Sequence, residues 1–301
     1  LNNAYIKGIK ELMDNIGSKP PFEAYHLGFM LAPRLNAAGR MEDASLAVDL
    51  MFSDSPVEAA HLLNEINSQR RKLQEELIDR AKEMSKDVDS SVLILSSDQF
   101  NRGINGIIAS RMVELTHKPS IIFEEDADGM LHGSGRSVPG VDLHALLSAS
   151  SEKFLSFGGH TMACGLRINK SDLEAVKAEI DKNFQKLYPD GFTKQIVADM
   201  ELDLTKFTYD LHLKLQKLKP FGIGNPSPRF LIRGVDIREN KLVKEKYRFY
   251  DCYQRDIPFQ LQDWNNKTDF GKNGTIDIIA SPFWEEFRGQ LYLKVKYIEH
   301  I

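Results

Sequence analysis

The sequence predicts two fold textures in succession, an α/β part followed by an all-β part, and three observations carry that expectation. Between Ser91 and Leu187, short apolar runs alternate with stretches of helical spacing, and glycines gather where the runs end. Beyond the turn Tyr188-Pro189-Asp190-Gly191, five short β-rich segments follow one another, joined by Asn- and Gly-rich turns. Ahead of both lies purely helical spacing that ends in one long run without glycine or proline.

Composition narrows the class. The chain has 301 residues, enough for two domains and part of a third, and its 42% hydrophobic and 27% charged content is that of a globular protein. A formal net charge of −4 excludes a globally basic protein, so any nucleic-acid contact has to come from local patches. Cys164 and Cys252 stand alone without CxxC spacing, which argues against a disulfide scaffold or structural zinc. No apolar run approaches membrane-spanning length and no charged-then-apolar leader is present, which reads as a soluble protein of a reducing compartment. The chain opens at Leu1, without Met, directly into a helical pattern, and is expected to be part of a longer protein.

Residues 4–15 (Ala4, Ile6, Ile9, Leu12, Met13) carry helical spacing that stops at Gly17-Ser18-Lys19-Pro20-Pro21. A second segment, Ala24 to Met30, leads into Leu31-Ala32-Pro33-Arg34-Leu35-Asn36-Ala37-Ala38-Gly39-Arg40. Pro33 is expected to keep Ala32 extended, and Ala37, Ala38 and Gly39 to let the backbone approach a neighbour closely. Arg34 and Arg40 can each fork onto phosphate oxygens, with Asn36 available for a base, a sugar or backbone. A turn with solvated arginines is the alternative. Ser55-Pro56-Val57-Glu58 reads as a capping box opening a helix of about thirty residues, roughly 45 Å long at 1.5 Å per residue. Its balanced charge reads as a solvated spacer between lobes.

In the α/β part, strands are expected over Val92–Leu95, Pro119–Phe123 and Met130–Ser137, with helices over Gly103–Leu115, Val141–Leu147 and from Leu173 to Leu187. Ser171-Asp172-Leu173-Glu174 reads as a second capping box. Two phosphate-sized features stand out. One is Gly133-Ser134-Gly135-Arg136-Ser137, small residues and hydroxyls with one arginine. The other is Phe157-Gly158-Gly159-His160, where paired glycines leave backbone amides bare and the histidine can bind a phosphate oxygen. A strand-to-turn junction capped by the histidine fits the same letters.

A short helix around Leu211, Leu215 and Leu218 ends at Lys219-Pro220-Phe221-Gly222-Ile223-Gly224-Asn225-Pro226. The five strands are expected over 229–237, 241–252, 257–264, 275–281 and 290–297, a small barrel of the OB type. Basic residues outnumber acidic ones between Arg229 and Arg248, with Phe230, Tyr247, Phe249 and Tyr250 among or beside them. That combination suits single-stranded nucleic acid, rings stacking on bases while cations track phosphates, although aromatics at alternate strand positions also fill barrel cores.

Arg-Leu-Asn-Ala-Ala-Gly-Arg, the spacer helix, Ser-Gly-Arg-Ser, Phe-Gly-Gly-His and Pro-Phe-Gly-Ile-Gly-Asn-Pro, in that order, resemble the RecJ family of single-strand-specific DNA exonucleases, members of the DHH phosphoesterases. The resemblance implies the C-terminal end of a DHH catalytic domain over 1–52, a connecting helix over 53–86, a DHH-associated substrate domain over 87–190 and an OB-fold nucleic-acid-binding domain over 195–301. It implies 5′-to-3′ hydrolysis of single-stranded DNA in repair and recombination, in the cytoplasm, with no membrane contact. Single-strand-binding protein or a repair helicase would be further partners. The substrate-binding residues would be Arg34, Asn36, Arg40, Phe100, Ser134, Arg136, Ser137, Gly158, Gly159 and His160. Those on the barrel would be Arg229, Arg233, Lys241, Lys244, Tyr247 and Arg248. Two departures matter. The loop that carries Trp or His in the family reads Gln99-Phe100-Asn101-Arg102-Gly103, and the Asp-His-His run that names the family is missing. The Mn²⁺ or Mg²⁺ of the complete protein is therefore expected upstream, with no catalytic or metal-binding residue in this chain. A phosphodiesterase acting on short oligonucleotides or cyclic dinucleotides is an alternative, as is a non-catalytic single-strand-binding module.

Overall fold

The computed structural model describes residues 6–192, 196–222, 224–244, 247–264 and 268–300, so Ala4 and Ile223 lie outside the described residues. The chain divides into two compact units, Leu1–Lys194 and Gln195–Ile301. In the first unit, α1 (Lys7–Asn15), α2 (Ala32–Met41), α3 (Ser45–Phe52) and the 29-residue α4 (Val57–Ser85) enclose a core of Leu12, Met13, Leu31, Ala38, Leu50, Ala60 and Leu63.

The Arg34–Arg40 run is helix, not turn. Ala32 is helical (φ −57, ψ −39) instead of extended, because a π-turn over His26–Leu31 runs straight into α2. Pro33 falls in the first turn of α2, where its missing N–H goes unnoticed. Ala37 and Ala38 are small because they are packed, both fully buried. The capping boxes are also corrected. Neither α4 nor α7 (Leu173–Leu187) starts with a side-chain cap, and Ser171 bonds Asp172 instead of a helix amide. α4 is no solvated spacer either. Ala60, Leu63 and Ile66 are buried towards one end, and Leu77, Ile78 and Ala81 are buried at the other against Leu93, Leu95 and Ile122. One helix thus seals both the helical cluster and the sheet.

That sheet contains β1 (Leu93–Ser97), β2 (Ser120–Glu125), β3 (Met130–Arg136), β4 (Ser156–His160) and β5 (Ala163–Asn169) in the order β1-β2-β3-β5-β4. β1 and β2 run parallel and the remaining pairs antiparallel. α5 (Asn105–Thr116) makes the β1–β2 crossover, and α6 (Leu143–Ser148) with α7 covers the opposite face. Gly158-Gly159-His160 is therefore edge strand, the outgoing arm of a tight hairpin with β5, and His160 is its last residue, at the strand-to-turn junction before Thr161 and Met162.

The second unit opens with β6 (Met200–Glu201) and α8 (Tyr209–Gln216), whose first turn is capped by Thr208 accepting from the Leu211 amide at 3.2 Å. β7 (Phe230–Val243), β8 (Tyr247–Gln254), β9 (Ile257–Asp263), β10 (Thr275–Phe287) and β11 (Gln290–His300) follow. Ladders β7-β8-β9-β11-β10 and back to β7 close a five-stranded barrel, with β9 and β11 parallel. The expected second strand began too early, since Lys241–Val243 complete β7. Ile232, Val235, Tyr250, Leu261, Ile278 and Val295 are fully buried inside.

Candidate nucleic-acid interface

Alternation along the strands gives the sheet of the first unit two different faces. On one, Ile121, Phe123, Leu131, Cys164, Leu166 and Ile168 pack beneath α6 and α7. On the other, β1 and β2 are covered by α4 and α5, whereas β3, β5 and β4 present polar or minimal side chains. Register aligns these in rows: Arg136, Ala163 and His160; Ser134, Gly165 and Gly158; His132, Arg167 and Ser156. The middle row is a floor with almost no side chains. A Cβ on Gly158 would meet nothing within 4 Å, and one on Gly165 only a backbone oxygen at 3.9 Å. His160 is exposed at the hairpin end of the edge strand.

Arginines gather beside this floor, and neutral groups hold them. Arg136 Nη1 donates to the Gly135 carbonyl at 2.8 Å and to Ser134 Oγ at 3.3 Å. The first turn of α5 lies on it, since a Cβ on Gly106 would come within 2.5 Å of Arg136 Nη2. Arg40 Nη1 donates to the Gly103 carbonyl at 2.9 Å, and Gly103 has no room for a Cβ, which would fall 1.9 Å from the Arg40 carbonyl. Asn101 Oδ1 accepts from the Gly103 amide and shapes that loop. Arg34 donates to Asn64 Oδ1 at 2.9 Å and to the Met30 carbonyl at 2.7 Å. Arg70 reaches Gln74 Oε1 and Asn67 Oδ1, while its buried Nε has no partner.

Burial lowers the pKa of Arg34, Arg70 and Arg136, and neighbouring cations lower it further. Those neighbours are Arg71 for Arg34, Arg40 and Arg71 for Arg70, and Arg40 for Arg136. Pairwise repulsion thus links five guanidinium groups, of which Arg40 and Arg136 lie against the positive end of α5, and the hydrogen-bond partners named above for Arg34, Arg40, Arg70 and Arg136 include no carboxylate. Such a group is built for an anion. Arg70 and Arg71 were missed in the sequence because α4 reads as charge-balanced; two adjacent arginines breaking its apolar repeat were the available signal. On α2, Asn36 and Arg40 are four apart and both exposed, whereas Arg34 is half-buried against α4.

Several expected contacts do not survive. Phe100 is 3% exposed in the core with Ile104 and Ile108, so its ring cannot stack on a base. Ser137 is buried and its hydroxyl donates to the Val141 carbonyl at 2.7 Å. Gly133 and Gly135 are small to admit Phe123 and Leu143 of the core. Gly159, at φ +149, is required by its own hairpin, where a Cβ would lie 2.4 Å from the Ala163 carbonyl oxygen. The space that a ligand would enter lies at Gly158.

On the barrel, the arginines at the heart of the basic patch are cancelled. Arg233 is bridged to Glu201 and Asp277, at 3.1 and 2.8 Å, and Arg248 to Asp269 at 2.5 Å. Arg229, Lys241 and Lys244 are exposed. Phe230 and Tyr250 belong to the core. Tyr247 and Phe249 are half-buried, each edge-on to Trp264 at 5.3 Å, and Trp264, absent from the expectation, is 46% exposed. Lys241 stands opposite Phe249 in the β7–β8 ladder, so a cation flanks this ring cluster.

Among the described residues no three His, Cys, Asp or Glu side chains come together as a metal site. Both cysteines are buried, and burial pushes the Cys164 thiol up and that of Cys252 to about 12. Among the described residues no helix is long and apolar enough to cross a membrane.

Residues 89–186 match the DHHA1 domain and residues 198–299 the RecJ OB domain. A Bacillus subtilis protein, single-stranded-DNA-specific exonuclease RecJ, is 30% identical over 224 residues, covering 72% of this chain and 28% of its own length. The Escherichia coli protein of that name is 32% identical over 239 residues, covering 75% and 41%. The crystal structure of Thermus thermophilus RecJ with Mn²⁺ superposes with a TM-score of 0.82 at 22% identity, covering 99% of this chain and 44% of that one. A second RecJ structure, bound to manganese, gives 0.51 at 27% identity over 62% of this chain and 46% of its own. The chain spans less than half the length of each of these relatives.

Proposed function

From a chain that carries a DHHA1 domain followed by a RecJ OB domain, in the manner of a C-terminal portion of RecJ, we propose that this protein holds the DNA strand for a single-strand-specific exonuclease. The arginine group with neutral partners, opening on a glycine floor, is the observation that carries the reading. Arg40 and Arg136, with the first turn of α5, receive a phosphate, and Gly158 gives the strand room to pass while His160 donates from the edge. Arg34 and Arg70 supply the surrounding field. On the barrel, Trp264 with Tyr247 and Phe249 offers a stacking surface, with Lys241 and Lys244 tracking phosphates.

The proposed domain limits are 1–52, 53–86, 87–190 and 195–301. The remaining parts of the RecJ reading are proposals for the complete protein: 5′-to-3′ polarity, a cytoplasmic location, and transfer of the strand from single-strand-binding protein or a repair helicase. Divalent-metal chemistry finds no matching ligand cluster among the described residues, so no hydrolytic step is assigned to them. Fluorescence anisotropy with labelled single-stranded and duplex DNA tests the reading. Single strands should bind more tightly, with affinity falling steeply as salt rises. Mn²⁺ should release no mononucleotides from the bound strand. Equal affinity for duplex, or binding indifferent to salt, would refute strand-holding.

A further inference from the structure

Next to the arginine group, the same sheet face forms a second concavity with a different chemistry. Arg102, Asn105, His132, Ser134, Ser156 and Arg167 line a cleft of about 320 Å³ whose floor includes Gly165. Asn105, the first residue of α5, is 1% exposed, yet its side-chain Oδ1 and Nδ2 are both without a hydrogen-bond partner. Two of the polar groups around it are already engaged: His132 is held by Asp126 at 2.9 Å, and Ser134 receives Arg136. A buried amide with two unmet ends is expensive to leave so, because each end has surrendered its water without compensation.

The character of those two ends selects the ligand. A phosphate accepts hydrogen bonds only, so it would satisfy Nδ2 and leave Oδ1 unpaired. A group that sets a donor beside an acceptor in one plane satisfies both. Every nucleobase has such an edge, and Asn is a residue type that pairs with one in bidentate fashion. The floor suits a flat ring, since Gly165 presents only backbone to it. Arg102 and Arg167, both exposed, stand where flanking phosphates can be met. Resting on the strand-holding reading above, we infer that this cleft receives a base of the bound strand, with the Asn105 amide on its hydrogen-bonding edge. Because all four bases offer a donor next to an acceptor, the contact recognises that a base is present without choosing which.

The test is a cycle of two proteins and two ligands, run on the whole chain. Wild type and Asn105→Leu are titrated against a labelled mixed-sequence single strand and against a strand of the same length made of abasic residues. The expected result is roughly tenfold weaker binding of the base-bearing strand by the variant, with abasic binding unchanged. The variant should melt no lower than wild type, since an unpaired buried amide gives way to an apolar side chain of similar size. Asn105→Ala, which cannot clash, must reproduce the same selective loss. Equal weakening of both strands by the two variants would overturn the inference, making Asn105 a fold or backbone contact. No weakening of either would overturn it too, leaving water to satisfy the amide. If wild type bound neither strand, the strand-holding reading itself would fall, an outcome distinct from both.

Discussion

Arginine has opposite consequences in the two units of this molecule. Beside the sheet of the first unit, Arg34, Arg40, Arg70 and Arg136 are fixed by amide, hydroxyl and carbonyl oxygens, which orient a guanidinium without cancelling its charge. On the barrel, Arg233, Arg248 and Arg255 are fixed by Asp277, Asp269 and Asp203, which orient and cancel together. Counting basic residues therefore overstates the barrel and understates the sheet. What a cation can do for a ligand depends on whether its scaffold partner is charged.

The sharpest way to break this contrast is to remove arginines from each side. Arg136→Ala and Arg40→Ala should each weaken single-strand binding by about 1.5–3 kcal/mol, the worth of a charge-assisted contact. Arg233→Ala and Arg248→Ala should stay within about 1 kcal/mol, since each guanidinium is engaged by a carboxylate instead of the strand, and the carboxylate charge uncovered at this exposed surface acts only through screening solvent. Comparable losses from the two sets in anisotropy titrations would erase the distinction.

A pair of neighbouring glycines sharpens it next. Gly159→Ala should destabilise the first unit by about 1–3 kcal/mol in urea denaturation, because its backbone angle and the Ala163 carbonyl both reject a Cβ. Gly158→Ala should leave stability almost unchanged and reduce binding, because the Cβ enters the ligand's space. If Gly159→Ala were as stable as wild type while losing DNA, the glycine would serve the ligand after all.

Trp264→Ala comes third, with an expected loss of about 1–2 kcal/mol towards single strands, in the lower range for base stacking. An unchanged affinity would remove the barrel rings from the binding surface. The smallest effect is also the most discriminating. The slope of log affinity against log salt should fall by about 0.7 for Arg136→Ala, one phosphate contact, and stay constant for Trp264→Ala. A slope shift in the tryptophan variant would mean that the barrel contributes charge, not stacking.

The α/β-then-barrel order, the long α4 and most strands were legible because apolar periodicity reports which face of an element must leave water, and that is a local property. Trp264 and Asn105 were not legible. A lone aromatic at a strand end and a lone Asn at the start of an Ile-rich helix carry no pattern, and only packing makes one of them 46% exposed and the other 1%.

The amino-acid sequence by itself determined the elements, their order, and the residue types available for an anion: Arg34, Arg40, Arg136 and His160 were readable as candidates from their setting among small residues. Only the tertiary structure decided which glycines serve the core and which the open face, because that depends on strand register and on Phe123 and Leu143 arriving from elsewhere in the chain. It also decided which cations stay unneutralised. Glu201 lies 32 residues before Arg233 and Asp277 44 after it, distances across which sequence has no local rule and the closed barrel supplies one.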